Sequence, residues 1–377
     1  MAITLSHQSA LDVIRTLRRE GVSMHELDTA SLAAPSAWAS KRLGMKNFAD
    51  EAWRWQKPTA GHPLHVLVPN RQSRLRSKVV VAHAARNDMP AGSVLWLDEH
   101  ANVVCPELLF LQMARSFSLP ALVMLGMELC GHFSRWPDEP LAGDVVDGIL
   151  TATSVERLGR YLTGVKGAAG LANARKALEY VRDHAASAPE AVLATMFGLP
   201  TTEGGYGLGS VTLNDRVALH DSGSLSKVRN RYPDLMFDFA PVGLNYDGAK
   251  HFDIADLMVA AESFARADGS ARDKAREVLR GKLAATRAKV LDDNLRDRQL
   301  AAEGRIVFSV TKEDLTDGPH LDNLVRQVLG CAREAFGTDV DEHLRKLEDT
   351  SLTRDRWDLL KSLTSRGGVR GSSYGKL

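Results

Sequence analysis

The sequence predicts an α/β protein in which an N-terminal α+β region precedes a C-terminal mixed sheet flanked by helices. Two observations support this fold class. Residues 60–135 contain four short β-rich runs followed by two helical patterns. From residue 187 onwards the order is a helix, three strands, a long helix, a strand and a further helix. That order fits a sheet with helices on both faces, the layered arrangement of an α/β domain.

The composition is that of an ordinary globular protein. The chain has 377 residues, of which 44% are hydrophobic and 25% are charged. This length is enough for about two or three domains. Lys and Arg number 48 and Asp and Glu number 47, so the net charge is +1. The balance argues against a histone-like basic protein but leaves room for a local basic surface.

Cysteine usage and hydropathy predict a cytoplasmic protein. The cysteines are Cys105, Cys130 and Cys331, whose odd number and wide spacing argue against a disulfide framework or a cysteine-rich zinc site. The N-terminus has no apolar signal core. The longest apolar run, LPALVMLGMELCG, is interrupted by Glu128 and is too short to span a bilayer. We therefore expect no membrane segment.

The N-terminal half divides into three predicted parts. Residues 1–58 are predicted to be helical, because apolar residues recur at helical spacing over residues 8–20 and the pattern ends at Gly21. Residues 59–145 hold the runs HVLVPN, KVVVAHAA, SVLWLD and NVVCP, which predict strands, and then the helical pair. Residues 146–186 are predicted to be a helical connector to the C-terminal domain.

Basic residues in the first strand connection are candidate nucleic-acid contacts. The segment NRQSRLRSK lies between two predicted strands and carries Arg71, Arg74 and Arg76. Guanidinium groups in such a position can bind phosphates. A solvated hairpin connection explains the same pattern equally well.

The C-terminal domain is predicted to span residues 187–338. Ser187 is a good N-cap residue, and Glu190 three positions later is typical of a capping box. Two short apolar runs in PDLMFDFAPVGLNYDG then predict antiparallel strands joined at FAPVG. A long helical segment ends at Gly304, and RIVFSV predicts the next strand. Residues 339–377 are predicted to be helical at first and then disordered.

Polar side chains lie at the ends of the predicted strand pair. Asp234 opens the first strand, and Asn245 and Asp247 share one face at the end of the second. If the register places Asp234 beside Asn245, several oxygen atoms meet at one point, and Mg²⁺ or Mn²⁺ binds such oxygen ligands. We therefore expect a magnesium or manganese site that assists phosphodiester hydrolysis. The alternative is a polar hairpin with a turn at YDG and solvated carboxylates.

Further residues near this strand pair are candidates for catalysis and substrate binding. Lys250 and His251 follow the second strand, where a phosphate anchor or a general acid–base group is useful. Lys227, Arg229 and Arg231 precede the first strand, so their positive charge suits a polyanionic substrate. The same charges can also simply balance the nearby carboxylates.

The order of these motifs resembles a known family. PDLMFDF, GLNYDGAKH and the later DDNLRDRQLAAEGRIVFSV are similar to the motifs of very-short-patch-repair-like endonucleases, a branch of the PD-(D/E)XK nuclease superfamily. This resemblance covers residues 187–332 and implies a restriction-endonuclease-like fold. Residues 60–135, with HVLVPNRQSRLRSKVVVAH and VVCPELLFLQMA, resemble the central part of AbiEi-type antitoxins.

The resemblance also implies roles for individual residues. It makes Asp234 a metal-binding catalytic aspartate and Glu190 the helix glutamate that supports the metal. The segment DGAKH matches the family's D-G-x-x-H motif, which includes Asp247. Asn245 stands where the family has glutamate, and an uncharged amide binds a divalent metal more weakly. The family's lysine is also absent from its usual place, and Lys250 is the residue available to replace it.

These observations predict a metal-dependent endonuclease that hydrolyses phosphodiester bonds of DNA, in a defence or toxin–antitoxin context. A cognate toxin or defence protein is then an expected partner besides nucleic acid. The alternative is a DNA-binding, antitoxin-like regulator whose nuclease fold has lost turnover. Asn245 favours the regulator, whereas Asp234, Glu190, Asp247 and His251 together favour the enzyme.

Overall fold

The chain is a mixed α/β protein with 50% helix and several mixed sheets, which confirms the predicted class at this level. Two compact units are distinguished: residues 1–205 with 361–377 form unit 1, and residues 206–360 form unit 2. The structure is a computed structural model, and it describes residues 2–32, 53–73, 77–86, 88–136, 139–144, 149–220, 228–247 and 254–365.

Unit 1 is built on a five-strand mixed sheet. Its strands are β1 (Ile3–Leu5), β2 (Leu64–Val68), β3 (Val80–Ala84), β4 (Val94–Trp96) and β5 (Ala101–Val104). They lie in the order β3-β2-β1-β5-β4. The short strand β1 is parallel to β5 and antiparallel to β2, so it lies in the middle of the sheet. The four strands predicted after residue 60 are confirmed, but the first 58 residues are not purely helical, because they contain β1.

Helices and a small strand pair complete unit 1. The helices are α1 (His7–Arg19), α2 (Pro106–Met113), α3 (Leu119–Cys130), α4 (Val155–Gly164), α5 (Leu171–Leu178) and α6 (Ala188–Gly198). The paired strands are β6 (Arg135–Trp136) and β7 (Glu139–Gly143). Ser118, Ser154 and Ser187 accept hydrogen bonds from backbone N–H groups at the starts of α3, α4 and α6, which satisfies donors that have no partner inside the helix.

Unit 1 extends to residue 205, whereas the sequence predicted a domain that begins at residue 187, and that domain boundary stays a prediction. Helix α4 contacts α2 and α5, and both α5 and α6 contact α3. Residues 188–197 of α6 are all buried, and such an apolar helix contributes to whichever core surrounds it. The predicted connector and the first helix of the predicted C-terminal domain therefore both belong to unit 1.

Unit 2 contains a four-strand mixed sheet in the order β13-β12-β11-β8. Its strands are β8 (Val211–Leu213), β11 (Leu235–Phe237), β12 (Val242–Tyr246) and β13 (Ile306–Val310), and a separate pair comprises β9 (Val217–Ala218) and β10 (Asn230–Arg231). β8, β11 and β12 are antiparallel neighbours, whereas β12 and β13 run parallel. The predicted hairpin joined at FAPVG and the predicted strand RIVFSV are confirmed.

Helices make the crossover between the parallel strands of unit 2. They are α7 (Ile254–Arg266) and α8 (Gly269–Ala302). The following helices are α9 (Lys312–Thr316), α10 (Gly318–Phe336), α11 (Asp341–Glu348) and α12 (Thr350–Thr364). A parallel pair needs such a long connection, because the chain must return to the same end of the sheet.

Two expectations concern membranes and the chain terminus. Within the described ranges, no helix has both the length and the apolar character needed to cross a membrane. The predicted disorder of the C-terminal tail falls on residues 366–377, which lie outside the described residues.

Candidate functional site

The hairpin of β11 and β12 places two of the predicted site residues side by side. Leu235 of β11 lies opposite Leu244 of β12, so the next pair outward is Asp234 opposite Asn245. The close approach of the strands also depends on Gly243, because a Cβ atom there would overlap the side chain of Met236. The register that the sequence analysis required for Asp234 and Asn245 is therefore present.

Both polar side chains of this pair are hydrogen-bonded to the hairpin backbone. The Tyr246 N–H donates to Asp234 Oδ2 at 2.6 Å. The Asp234 N–H donates to Asn245 Oδ1 at 3.2 Å. Asn245 is only 2% exposed. The two side chains thus satisfy backbone donors at the end of the strand pair and hold it closed.

Asp234 is a carboxyl group whose ionisation is unfavourable. Burial raises the pKa of Asp234 to about 6, and the nearby charge of Asp247 adds to the rise, although the Tyr246 N–H and Arg296 oppose it. Asp247 is held at the end of β12, because its N–H donates to the Val310 carbonyl of β13 at 2.7 Å. A perturbed carboxyl group with specific charged neighbours is a candidate functional residue.

Helix α8 contributes a positive charge to the same region. Arg296 forms ion pairs with Asp293 at 3.4 Å and with Asp297 at 3.7 Å, and its side chain is 22% exposed. Its Nε atom is buried and has no hydrogen-bond partner within the part of the chain that the structure describes. Because Nε is buried, only the outer nitrogens of this guanidinium can reach an anionic ligand such as a phosphate.

Glu190 lies in unit 1, where its carboxylate caps helix α6. It accepts hydrogen bonds from the Ala186 N–H at 2.9 Å and from Ser187 Oγ at 2.6 Å. Ser187 Oγ in turn accepts from the Glu190 N–H at 3.3 Å. This arrangement is a variant of the predicted capping box. Glu190 and Asp234 belong to different units, so the metal-supporting role implied for Glu190 stays a prediction.

Arg231 is engaged inside unit 2. It is 8% exposed, and its Nε donates to Gln299 Oε1 at 2.8 Å. Its terminal nitrogens donate to the two carboxylate oxygens of Asp292 at 2.9 and 3.2 Å. These bonds fix β10 against α8. They favour the alternative in which this charge balances nearby carboxylates over a direct phosphate contact.

The remaining predicted contacts fall into two groups. Arg71 and Arg229 are exposed, so both side chains can approach a polyanion. Five other predicted site residues lie outside the described residues: Arg74, Arg76, Lys227, Lys250 and His251.

Unit 1 contains a histidine cluster that the sequence analysis did not predict. His7, His65 and His83 each offer a ligand atom, and these atoms all lie within 4.8 Å of one another. His65 Nδ1 and His83 Nε2 are 2.9 Å apart. The rings of His7 and His83 stack with centroids 3.7 Å apart. The only sequence signal was weak: His65 and His83 lie in the predicted strands HVLVPN and KVVVAHAA, and His7 lies next to the first predicted helix.

Comparison with known proteins finds no relative: no protein-family model, curated protein or solved structure matches the chain. The functional interpretation therefore depends on the geometry of the two sites.

Proposed function

We propose that unit 2 is a restriction-endonuclease-like unit that binds DNA and has lost most of its cleavage activity, in a protein that acts as an antitoxin-like regulator or defence component. The observation that carries this proposal is the reciprocal bonding of Asp234 and Asn245 across the hairpin. These are the two positions that the family resemblance makes metal ligands. Here each supports the backbone of the opposite strand.

The strand order supports the nuclease-like part of the proposal. Three antiparallel strands, β8, β11 and β12, are followed by a helical crossover and a parallel strand, β13. This is the succession expected from the family resemblance. The aspartate and asparagine positions then fall at the end of the central strand pair, next to Arg296 of α8.

The side chains fit a magnesium or manganese ion poorly. Such ions take charged oxygen ligands, whereas Asn245 is uncharged and its oxygen already accepts the Asp234 N–H. Asp234 has its pKa raised to about 6 by burial, so a fraction of this carboxyl is protonated near neutral pH. Both features lower the affinity for a divalent ion, and we expect turnover to be slow or absent.

Anion binding does not need the metal. Arg296 places a partly buried guanidinium beside Asp234, and Arg229 is exposed just before the first strand of the hairpin. Phosphate contacts of this kind give affinity without sequence selectivity. DNA binding with little cleavage therefore follows from the same residues.

A metal-dependent DNA endonuclease is the second candidate function. It is favoured by the electrostatic interaction between Asp234 and Asp247, two carboxyl groups near the end of β12. Proteins usually bind Mg²⁺ through one or two carboxylates together with phosphates of the substrate.

The two candidates are separated by one set of assays on the full-length protein. Supercoiled plasmid and linear duplex DNA are incubated with Mg²⁺, Mn²⁺ or a chelator, and DNA retention is measured in parallel by gel shift. We expect retention without cleavage for the wild type and metal-dependent cleavage for Asn245→Glu. The matched control is Asp238→Asn, which removes an exposed carboxylate from the turn of the same hairpin.

Each outcome decides between the candidates. Wild-type cleavage that disappears in Asp234→Ala establishes the endonuclease and overturns the proposal of lost turnover. Neither retention nor cleavage, with folded wild type and folded Asn245→Glu, rejects both candidates. Cleavage that persists equally in Asp234→Ala and Asp238→Asn identifies a contaminating nuclease or another site, and also argues against this one.

A further inference from the structure

The histidine cluster of unit 1 is assembled from three separate elements. His65 lies on β2 and His83 on the parallel neighbour β3, in the registers His65 opposite Val81 and Leu67 opposite His83. His7 is the first residue of α1, directly after β1 and Ser6. The sheet thus brings together side chains that are far apart along the chain, as protein metal sites commonly do.

The backbone at His7 is strained in a way that favours this convergence. His7 has a φ of 50°, in the left-handed region that side chains with a Cβ rarely adopt. Its N–H donates to Gln112 Oε1 at 3.1 Å, which fixes the residue against the end of α2. Such strain persists only where the surroundings impose it and is frequent at functional sites.

We propose that His7, His65 and His83 bind one zinc-class divalent transition-metal ion, with solvent at the remaining coordination position. Three imidazoles without a thiolate suit Zn²⁺ and, among related ions, Co²⁺, Ni²⁺ and Cu²⁺. A tetrahedral zinc ion holds its nitrogen ligands about 3.3 Å apart, given bonds of about 2.0–2.1 Å. The ligand atoms now lie within 4.8 Å of one another, so the rings, which are nearly parallel, must tilt and draw together to reach this geometry.

Neighbouring groups orient two of the rings. Ser6 Oγ lies 3.1 Å from His7 Nδ1, and the His65 N–H donates to Ser9 Oγ at 2.9 Å. Outer contacts of this kind fix ring orientation in metal sites. The 2.9 Å contact between His65 Nδ1 and His83 Nε2 is a shared proton in the metal-free protein. On metal binding that proton moves to the other nitrogen of its ring, so that both rings stay neutral.

The electrostatic environment keeps the imidazoles in the form that binds metals. Burial lowers the pKa of His7 to about 2, and the charges of His83, His65 and Arg115 add to the effect. Burial also lowers the pKa of His65. Neutral imidazole is the ligand form. The positive charge of Arg115 repels a bound cation. Because Arg115 is exposed and its charge is screened by solvent, we expect it to weaken the zinc affinity without abolishing it.

The cluster is partly accessible to solvent. His65 is buried, whereas His7 and His83 are half-buried. The site is therefore neither a closed structural centre nor a surface patch of unconnected histidines. Zinc sites that keep a water or a small ligand have this pattern: three protein ligands and an accessible fourth coordination position.

The test is zinc titration of the full-length protein after chelator treatment and dialysis. We expect one equivalent of Zn²⁺ to bind by calorimetry, and Co²⁺ to give the visible absorption of a tetrahedral site. His83→Gln is expected to weaken zinc binding at least about tenfold, because the loss of a ligand exceeds the effect of losing an outer contact. The control is His62→Gln, which removes an exposed histidine outside the cluster and should leave the affinity unchanged.

The proposal fails under clear conditions. A wild-type protein that binds no zinc and shows no cobalt spectrum overturns it. So does a folded His83→Gln protein, verified by circular dichroism, whose zinc affinity equals that of His62→Gln. If His83→Gln does not fold, His7→Gln replaces it, and the comparison of its zinc affinity with that of His62→Gln decides.

Discussion

Arg15 of α1 donates two hydrogen bonds of 2.7 Å to the carboxylate of Glu128 on α3. The Glu128 side chain is 1% exposed and the Arg15 side chain 9%, so the pair lies in the core of unit 1. The Arg135 N–H also donates to Glu128 at 3.1 Å. One buried carboxylate therefore accepts hydrogen bonds from several buried donors and balances the charge of Arg15. The stability of unit 1 depends on its negative charge.

The first prediction is that Glu128→Gln strongly destabilises unit 1. Removing one member of a buried ion pair leaves the other charge unpaired, which costs about 3–5 kcal/mol. We expect a loss of this size in the free energy of unfolding, measured by urea denaturation. Glu20→Gln is the control, because Glu20 pairs with Arg54 at the surface, and exposed pairs contribute about 0–1 kcal/mol. Equal losses of unfolding free energy in the two variants would show that the buried pair stabilises the protein no more than the surface pair does.

The second prediction concerns acid. Burial opposes ionisation of Glu128, but the charge and hydrogen bonds of Arg15 outweigh it, so the pKa of Glu128 lies below its ordinary value of 4.5. A carboxyl group with a lowered pKa stabilises the folded protein at pH values above its pKa in the unfolded chain. This stabilisation is lost as the pH falls from about 4.5 through the pKa of the group in the folded protein. The stability difference between wild type and Glu128→Gln should therefore shrink between pH 6 and pH 3. Thermal unfolding at a series of pH values measures this stability difference. A difference that stays constant with pH contradicts a lowered pKa for Glu128.

The third prediction has the opposite sign and concerns Asp234. Burial raises its pKa from 3.8 to about 6, so the folded protein holds a proton that the unfolded chain releases, and stability falls as the pH rises from about 4 to about 6. A difference of about two pKa units corresponds to about 3 kcal/mol. Asp234→Asn still offers an oxygen to the Tyr246 N–H and does not ionise. Its stability relative to wild type should increase by up to about 3 kcal/mol between pH 4 and pH 7.

A suitable control for this third prediction lies in the same hairpin. Asp238 is exposed, and Asp238→Asn removes a carboxylate from the same hairpin without touching the Asp234 site. Denaturant unfolding at pH 4, 5, 6 and 7 compares the three proteins. If Asp234→Asn and Asp238→Asn behave alike, Asp234 ionises normally and its protonation does not weaken the binding of a metal ion.

The fourth prediction is that zinc stabilises the protein through the histidine cluster. A ligand present at about 100 times its dissociation constant stabilises the folded state by about 2.7 kcal/mol. For a unit of this size each kcal/mol raises the melting temperature by about 2–4 °C. We expect an increase of about 5–10 °C in wild type and His62→Gln, and about half that increase or less in His83→Gln, whose zinc affinity is at least about tenfold weaker. A zinc-induced shift of equal size in all three proteins would place the ion elsewhere.

Local patterns predicted the hairpin at the candidate site but not the whole of unit 1. Alternation of side chains and the turn at FAPVG were enough to pair β11 with β12 and to set Asp234 opposite Asn245. Strand β1 was missed because Ile3–Leu5 is three residues long and owes its conformation to pairing with β2 and β5. The sequence placed α6 with the residues that follow it, whereas α6 lies in unit 1, because an apolar helix predicts burial without identifying the core that surrounds it.

Local sequence patterns also do not predict side-chain partners that come from distant parts of the chain. The basic segment before Asp234 suggested a phosphate-binding role for Arg231, but its partners Asp292 and Gln299 are contributed by α8. The histidine cluster escaped notice for the same reason, since His7, His65 and His83 have no metal-ligand spacing in the sequence. Their meeting depends on the parallel pairing of β2 with β3 and on the position of β1.

The last prediction separates structural from ligand-binding arginines. Arg231→Ala removes a charged hydrogen bond to buried Gln299 and a bidentate pair with Asp292, and we expect a loss of about 1–3 kcal/mol in the stability of unit 2. Arg229 is exposed, and surface substitutions of this kind usually change stability by less than about 0.5 kcal/mol. Arg229→Gln should instead weaken DNA retention and lower the salt dependence of binding by about 0.9 in the logarithmic slope, the value of one phosphate contact.

Gel shifts at several salt concentrations, combined with urea denaturation of each variant, measure both effects of the last prediction. Because the substitutions lie two residues apart, a general disturbance of this segment would change stability and DNA binding together in both proteins. That result would contradict the division of roles. A stable Arg231→Ala protein with reduced retention would assign the phosphate contact to Arg231 and show that its pairing with Asp292 opens when DNA binds.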